Sequence, residues 1–167
     1  MTARDLILFP DPRLKIVARP VEAWDERLRA VTDDVLDTLR AVSAIGLTAP
    51  HIGEPVRIVV IRLQPDMPHI VYVNPVIVEA SDERAPQMEG SVSMPGITES
   101  IERAERIRVR YRDLDGIEHE EAAEGFAAAC LQHEIDQLDG IFWIERLTRL
   151  RRERALKRFA KLKRVTP

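Results

Sequence analysis

At 167 residues, 45% hydrophobic and 32% charged, the chain is long enough for one packed domain and short for two complete ones. The net charge of −3 is uneven: from Glu145 onward ten Lys or Arg stand against two Glu, so an acidic body carries a basic tail. A single cysteine, Cys130, excludes an internal disulfide. With its apolar flanks it reads as a buried thiol in a reducing, cytoplasmic setting, and no window reaches the roughly 18 to 20 apolar residues of a membrane span.

After a Pro-rich entry, "DERLRAVTDDVLDTLRAV" places Leu28, Val31, Val35, Leu39 and Val42 at intervals of three and four, which predicts an amphipathic helix over 25–42. The Gly- and Pro-rich "SAIGLTAPHIGEP" predicts a loop with a tight turn near Gly46. "RIVVIRL" reads as a strand, and "HIVYVNPVIVEA" as a strand or pair of strands interrupted at Asn74-Pro75. "RIRVRYRDLDGIEHEEAA" alternates, turns at Asp113 to Gly116, and returns as a hairpin. From about Glu124 to Leu138 the pattern is that of a helix apolar nearly all round, hence buried, ending at Asp139-Gly140. Residues 145–167, with Leu150, Leu156, Phe159 and Leu162 against many cations, predict a basic amphipathic helix packed through Leu156 and Phe159. With no internal repeat or low-complexity linker, one α+β domain over 1–167 is the economical architecture.

The buried helix carries "QHEIDQLDG". A His-Glu-x-x-His helix sets two imidazoles one turn apart as metal ligands, with the Glu as base for a bound water. Here His133 and Glu134 are present and the fifth position is Gln137. Buried polar groups of this kind must be paired or shift their protonation.

Three motifs in order, "GLTAPHIG" (46–53), "EGSVSMPG" (89–96) and "QHEIDQLDG" (132–140), resemble those of peptide deformylases, which remove the formyl group from an initiator methionine. "FPDPRL", "VNP", "RAERIRVRYRDLDG" and the helical tail extend the resemblance over essentially the whole chain. It implies the deformylase-type α+β fold: antiparallel strands around the buried 124–138 helix, with the 25–42 helix outside and a helix at the C-terminus. In the family a Cys and two His hold a divalent ion, commonly iron or zinc, and a Gln donates to the formyl oxygen. The matching positions here read Ser91, His133, Gln137 and His51; Glu134 keeps the base position. The resemblance also implies a substrate-binding role for Gly46, His51 and the backbone N–H of Val92, and an apolar pocket for a methionine side chain.

A serine hydroxyl and a neutral amide are poor replacements for a thiolate and an imidazole. If a full zinc site is worth about 10–16 kcal/mol, losing two strong ligands forfeits on the order of 5 kcal/mol, or roughly three to four powers of ten in affinity. The expectation is therefore a deformylase-like protein with lost or severely reduced activity, at most a weakly bound Zn or Fe near His133, and a pocket for a formyl-Met or other N-terminal peptide. Two hydrolase alternatives remain open: a rearranged site in which His51 joins His133 and Glu134 as ligand, or Ser91 as nucleophile with His51 or His133 as base. Cys130 reads as core. In the family the C-terminal helix helps bind the ribosome, so the basic tail implies a possible contact with ribosomal RNA.

Overall fold

The computed structural model describes residues 2–165; Met1, Thr166 and Pro167, which the predicted domain includes, lie outside the described residues. The fold is α+β. In chain order it comprises helix α1 (Glu26–Ala41), strands β1 (Gly46–Thr48), β2 (Ile58–Ile61), β3 (Ile70–Ala80), β4 (Arg84–Ser91), β5 (Met94–Ala104), β6 (Arg106–Arg112) and β7 (Glu118–Glu124), and helices α2 (Gly125–Leu138) and α3 (Arg149–Val165). Short 3-10 turns occur at Pro12–Lys15, Ala49–Ile52 and Trp143–Arg146. No described helix is long and apolar enough to cross a membrane.

Helix α1 forms where the apolar period predicts it. The Asp25 carboxylate caps it by accepting from the Leu28 N–H, and Leu28, Val35, Leu36 and Leu39 are buried. Five strands form an antiparallel sheet in the order β1-β2-β3-β6-β7. All four residues of β2 are buried because both faces of the sheet are covered. Ile58 and Val60 join the cluster of α1, whereas Val59 and Ile61 join Leu131, Ile135 and Leu138 of α2. That alternation is the two-residue period of a strand, read here between two helices.

The interruption expected at Asn74-Pro75 is not a break. Strand β3 runs through the pair and absorbs it as a bulge, its register shifting between Val73↔Arg112 and Val76↔Arg110. Asn74 adopts φ 52, and its side chain holds the backbone N–H and C=O of Val21 at 2.8 and 2.9 Å. Asparagine tolerates this left-handed conformation better than most side chains, and a proline beside a bulge breaks no regular ladder. The tight turn expected near Gly46 lies at Val42–Ser43, where Ser43 has φ 53, and Gly46 itself opens β1.

Strands β4 and β5 form a separate two-stranded sheet. Periodicity does not reveal them, because Pro86, Gly90, Pro95 and Gly96 interrupt any alternation. Met94, Ile97 and Ile101 pack with Phe142, Trp143, Ala155 and Phe159, which seats α3 on β5. Leu150 and Leu162 are exposed, and Ala155 takes the buried face with Phe159. Arg151 and Arg158 both pair with Glu99, and Arg146 with Asp136. These three tail cations therefore bind the fold itself, which leaves less free positive surface than the sequence implies.

The entry segment docks on the end of α2. Ala18 donates its N–H to the Leu138 carbonyl at 2.8 Å. Just beyond, Gly140 has φ 74, and a Cβ there would stand 2.5 Å from the Lys15 carbonyl oxygen. Both the backbone conformation and the approach exclude a side chain. Gly140→Ala should lower stability by about 2–4 kcal/mol, seen as an earlier midpoint in urea with an unchanged slope.

Candidate functional site

A cavity of about 270 Å3 opens between β1, β4 and α2, near the small end of ligand pockets. Its lining includes Gly46, His51, Glu89, Ser91, Val92, Phe126, Cys130, His133 and Glu134. Three separate stretches of the chain therefore converge as their motifs predict. Gln137 lies one helical turn beyond His133 but is not part of the wall.

His133 is fixed from behind. Its Nδ1 meets Glu89 Oε1 at 2.8 Å, so Nε2 is the nitrogen left for the cavity. Glu89 in turn accepts two hydrogen bonds from Arg103, at 2.7 and 2.8 Å. The Arg103 guanidinium, 4% exposed, reaches Asp136 at 2.6 Å, and Asp136 is clasped at both oxygens by Arg146. This chain of charges ties β4, β5, α2 and the segment before α3 around one histidine. Burial alone would raise the Glu89 pKa, but Arg103 and His133 outweigh it and hold the carboxyl below its usual range. Burial alone would lower the His133 pKa, but the Glu89 hydrogen bond and the Glu134 and Glu89 charges raise it.

Glu134 sits differently. Its Oε2 is buried with no hydrogen-bond partner in the protein, and burial pushes its pKa up against the opposing charge of His133. It lies so close to β1 that a Cβ on Gly46 would be 2.8 Å from Oε1. The glycine is needed for that approach, not for a turn.

At the remaining positions the donors are occupied elsewhere. Ser91 Oγ accepts from the Ser93 N–H at 3.1 Å and has no histidine partner, so it lacks the base that a nucleophilic serine requires. Gln137 donates its amide Nε2–H to the Leu14 carbonyl at 2.6 Å, away from Ser91 and His51. His51 Nδ1 is engaged by Thr48, at 3.1 Å from its N–H and 2.7 Å from its hydroxyl. Cys130 is half-buried, packed against the core cluster of α2 and also lining the cavity. Burial, then the Glu134 and Glu89 charges, push its thiol up to about 12, so it offers no thiolate at neutral pH. Among the described residues no three His, Cys, Asp or Glu side chains are grouped so as to hold a metal ion. A tightly held divalent ion needs several good lone-pair donors, and of the positions implied by the resemblance only His133 presents a strong one. This donor set does not fit such an ion.

The geometry agrees with what the chain resembles. Residues 3–153 match the polypeptide deformylase family. The chain belongs to that family. A peptide deformylase-like protein of Brucella suis biovar 1 (strain 1330) is 55% identical over 98% of this chain and 100% of its own length. A peptide deformylase of the same strain is 42% identical over 97% of this chain and 94% of its own. The crystal structure of a peptide deformylase from Ehrlichia chaffeensis in complex with actinonin superimposes with a TM-score of 0.91, at 33% identity, covering 99% of this chain and 100% of the other. The family's α+β architecture is thus intact.

Sequence reasoning missed Arg103, Asp136 and Thr48. Arg103 lies in a stretch that reads as a charged surface, and nothing local marks it as buried. Thr48 carried a usable signal: a Thr three residues before a side chain able to accept its N–H is the spacing of a capping box.

Arg103→Ala leaves the buried Glu89 without its guanidinium partner and Asp136 with Arg146 alone, and should cost about 3–5 kcal/mol in a denaturant titration. Glu134→Gln should act oppositely. Because burial raises the Glu134 pKa, its contribution is fully present below the unfolded value and lost as pH rises through the folded one. The glutamine variant should therefore be more stable than the parent by about 1–3 kcal/mol at pH 7, the gain vanishing below about pH 4. Unfolding midpoints measured at both pH values check the sign.

Proposed function

We propose that this chain is a deformylase-like protein whose formylmethionine deformylase activity is lost or severely reduced, and which keeps the cavity as a receptor for a peptide N-terminus. The observation that carries the reading is the donor set: Ser91 Oγ accepts from the Ser93 N–H, His51 Nδ1 accepts from Thr48, and Gln137, whose amide N–H goes to the Leu14 carbonyl, has only a neutral carbonyl oxygen to offer. His133 is the one strong metal donor left at the ligand positions, and Glu134 has no metal-bound water to deprotonate. The greater similarity to a relative described as deformylase-like than to a deformylase of the same strain agrees with this reading.

The peptide-binding half rests on the walls. Strand β1 is an edge of the larger sheet and β4 belongs to a two-stranded one, so backbone groups flank the cavity for an extended chain to pair with. Ile45, Met88 and Phe126 stand 40%, 65% and 47% exposed at its margin. Apolar side chains of that size, clustered at a concave opening, suit an apolar residue such as methionine. Val92, at the β4–β5 turn, lines the same wall and can present its backbone there.

The purified protein should turn over a formyl-Met peptide at least about a thousandfold more slowly than an authentic deformylase, matching the expected loss of ion affinity. It should also hold zinc or iron well below one equivalent. Ser91→Cys combined with Gln137→His should raise both metal content and turnover. Stoichiometric metal in the parent together with turnover abolished by Glu134→Ala would establish an active enzyme instead.

A further inference from the structure

A second cavity, of about 280 Å3, opens on the α1 side of the larger sheet and shares no lining residue with the first. Its floor is apolar: Leu28 and Ile58 belong to the buried cluster of α1 and β2, and Val21, Val31 and Val56 pack against it. One wall is the segment from Arg19 to Asp25, which is pinned along its length. The Arg19 N–H donates to the Pro55 carbonyl at 2.9 Å, and its carbonyl accepts from the Arg57 N–H at 3.0 Å. Asn74 holds both backbone groups of Val21, the Trp24 indole N–H donates to the Asp113 carbonyl, and Asp25 caps α1. A wall held in this way is already formed, so a ligand spends little on ordering it.

The rim carries charges of both signs, of two kinds. Arg27 meets Glu54 at 3.7 Å, and Glu54 also meets Arg4 at 3.6 Å, so those charges are neutralised within the protein. Arg19 and Glu22 are not. They line the same cavity, three positions apart and opposite in sign, yet neither side chain has a hydrogen bond or ion pair among the described residues. A cation and an anion held apart above an apolar floor complement a molecule that carries an anion and a cation close together beside an apolar group. A simple carboxylate would set its charge against Glu22, and a simple amine would set its charge against Arg19. A peptide terminus supplies only one of the two charges.

We propose that this second cavity binds a free α-amino acid with an aliphatic side chain, its carboxylate on the Arg19 guanidinium, its ammonium on the Glu22 carboxylate and its side chain on the floor. A guanidinium takes a carboxylate through two parallel hydrogen bonds, and the floor rewards an aliphatic side chain in proportion to the area it removes from water. The cavity is below the usual range for drug-sized ligands, which suits a molecule of this size. The inference goes beyond the peptide-receptor reading and does not depend on it.

Titration of the nitrogen-15-labelled full-length protein with L-leucine or L-methionine should shift the backbone amides of residues 21–31 and 54–58 and leave those of Gly46, Val92 and Cys130 in place. N-acetyl-L-leucine, which lacks the ammonium, and L-leucinamide, which lacks the carboxylate, should each bind at least about tenfold more weakly, as expected for the loss of one charge-assisted contact. Arg19→Gln and Glu22→Gln change exposed side chains; each should weaken L-leucine binding by a similar factor and leave the thermal midpoint unchanged. Absence of saturable shifts up to about 50 mM L-leucine, shifts confined to the first cavity, or equal binding of the three leucine compounds overturns the proposal. So does self-association of the parent relieved by Arg19→Gln, which would make a second copy of the chain the occupant.

Discussion

Arg103 is the constraint on which the rest of the site depends. A guanidinium that is almost wholly buried must find carboxylates in several directions at once, and here it finds Glu89 on β4 and Asp136 on α2 while itself belonging to β5. The two-stranded sheet and the central helix cannot shift relative to each other without exposing or orphaning a charge. Such groupings add less net stability than their Coulomb attraction suggests, because desolvation offsets most of it. What they impose is geometry: a fork-shaped cation accepts few arrangements, and His133 inherits its orientation from that one through Glu89.

The scaffold and the chemistry of this protein are therefore separable. The elements that position a deformylase site are in place: the buried helix, the β4–β5 hairpin beside it, and the short β1 edge brought close to Glu134 by Gly46. The side chains at the centre include Ser91, His51, His133 and Glu134. Ser91 Oγ and His51 Nδ1 each accept a local hydrogen bond, while Gln137 donates its amide N–H to the distant Leu14 carbonyl. On the cavity wall the buried Oε2 of Glu134 has no hydrogen-bond partner in the protein.

Much of this was legible in the sequence, for reasons that differ between elements. Helix α1 and the β6–β7 hairpin announce themselves because one face is wet and the other dry, and such alternation survives in the order of residues. Helix α2 is recognisable by the opposite property, the near absence of a polar face. The β4–β5 hairpin has neither signature; prolines and glycines interrupt it, and its partners are distant in sequence. Asn74 reads as a breaker until the structure reveals Val21 waiting for its side chain. Arg103 is unreadable for a similar reason: what makes it buried is the convergence of residues 14 and 33 positions away. His51 was found as a departure from a motif, but its hydrogen bonding depends on the direction in which Thr48 points its N–H, and only the fold determines that.

Gln137 illustrates a wider consequence. Its amide fastens the entry segment to the end of α2, so one side chain position has duties at two ends: it must hand a hydrogen to the Leu14 carbonyl on one side and present whatever it has left toward the interior on the other. A thiolate or carboxylate in that place has no hydrogen to give and would loosen the docked segment. An imidazole can satisfy the carbonyl through Nδ1–H and still offer Nε2 inward. Glutamine meets the first duty and lets the second lapse. The position therefore screens its own substitutions, admitting only those bifunctional side chains that keep the chain's beginning attached to its middle.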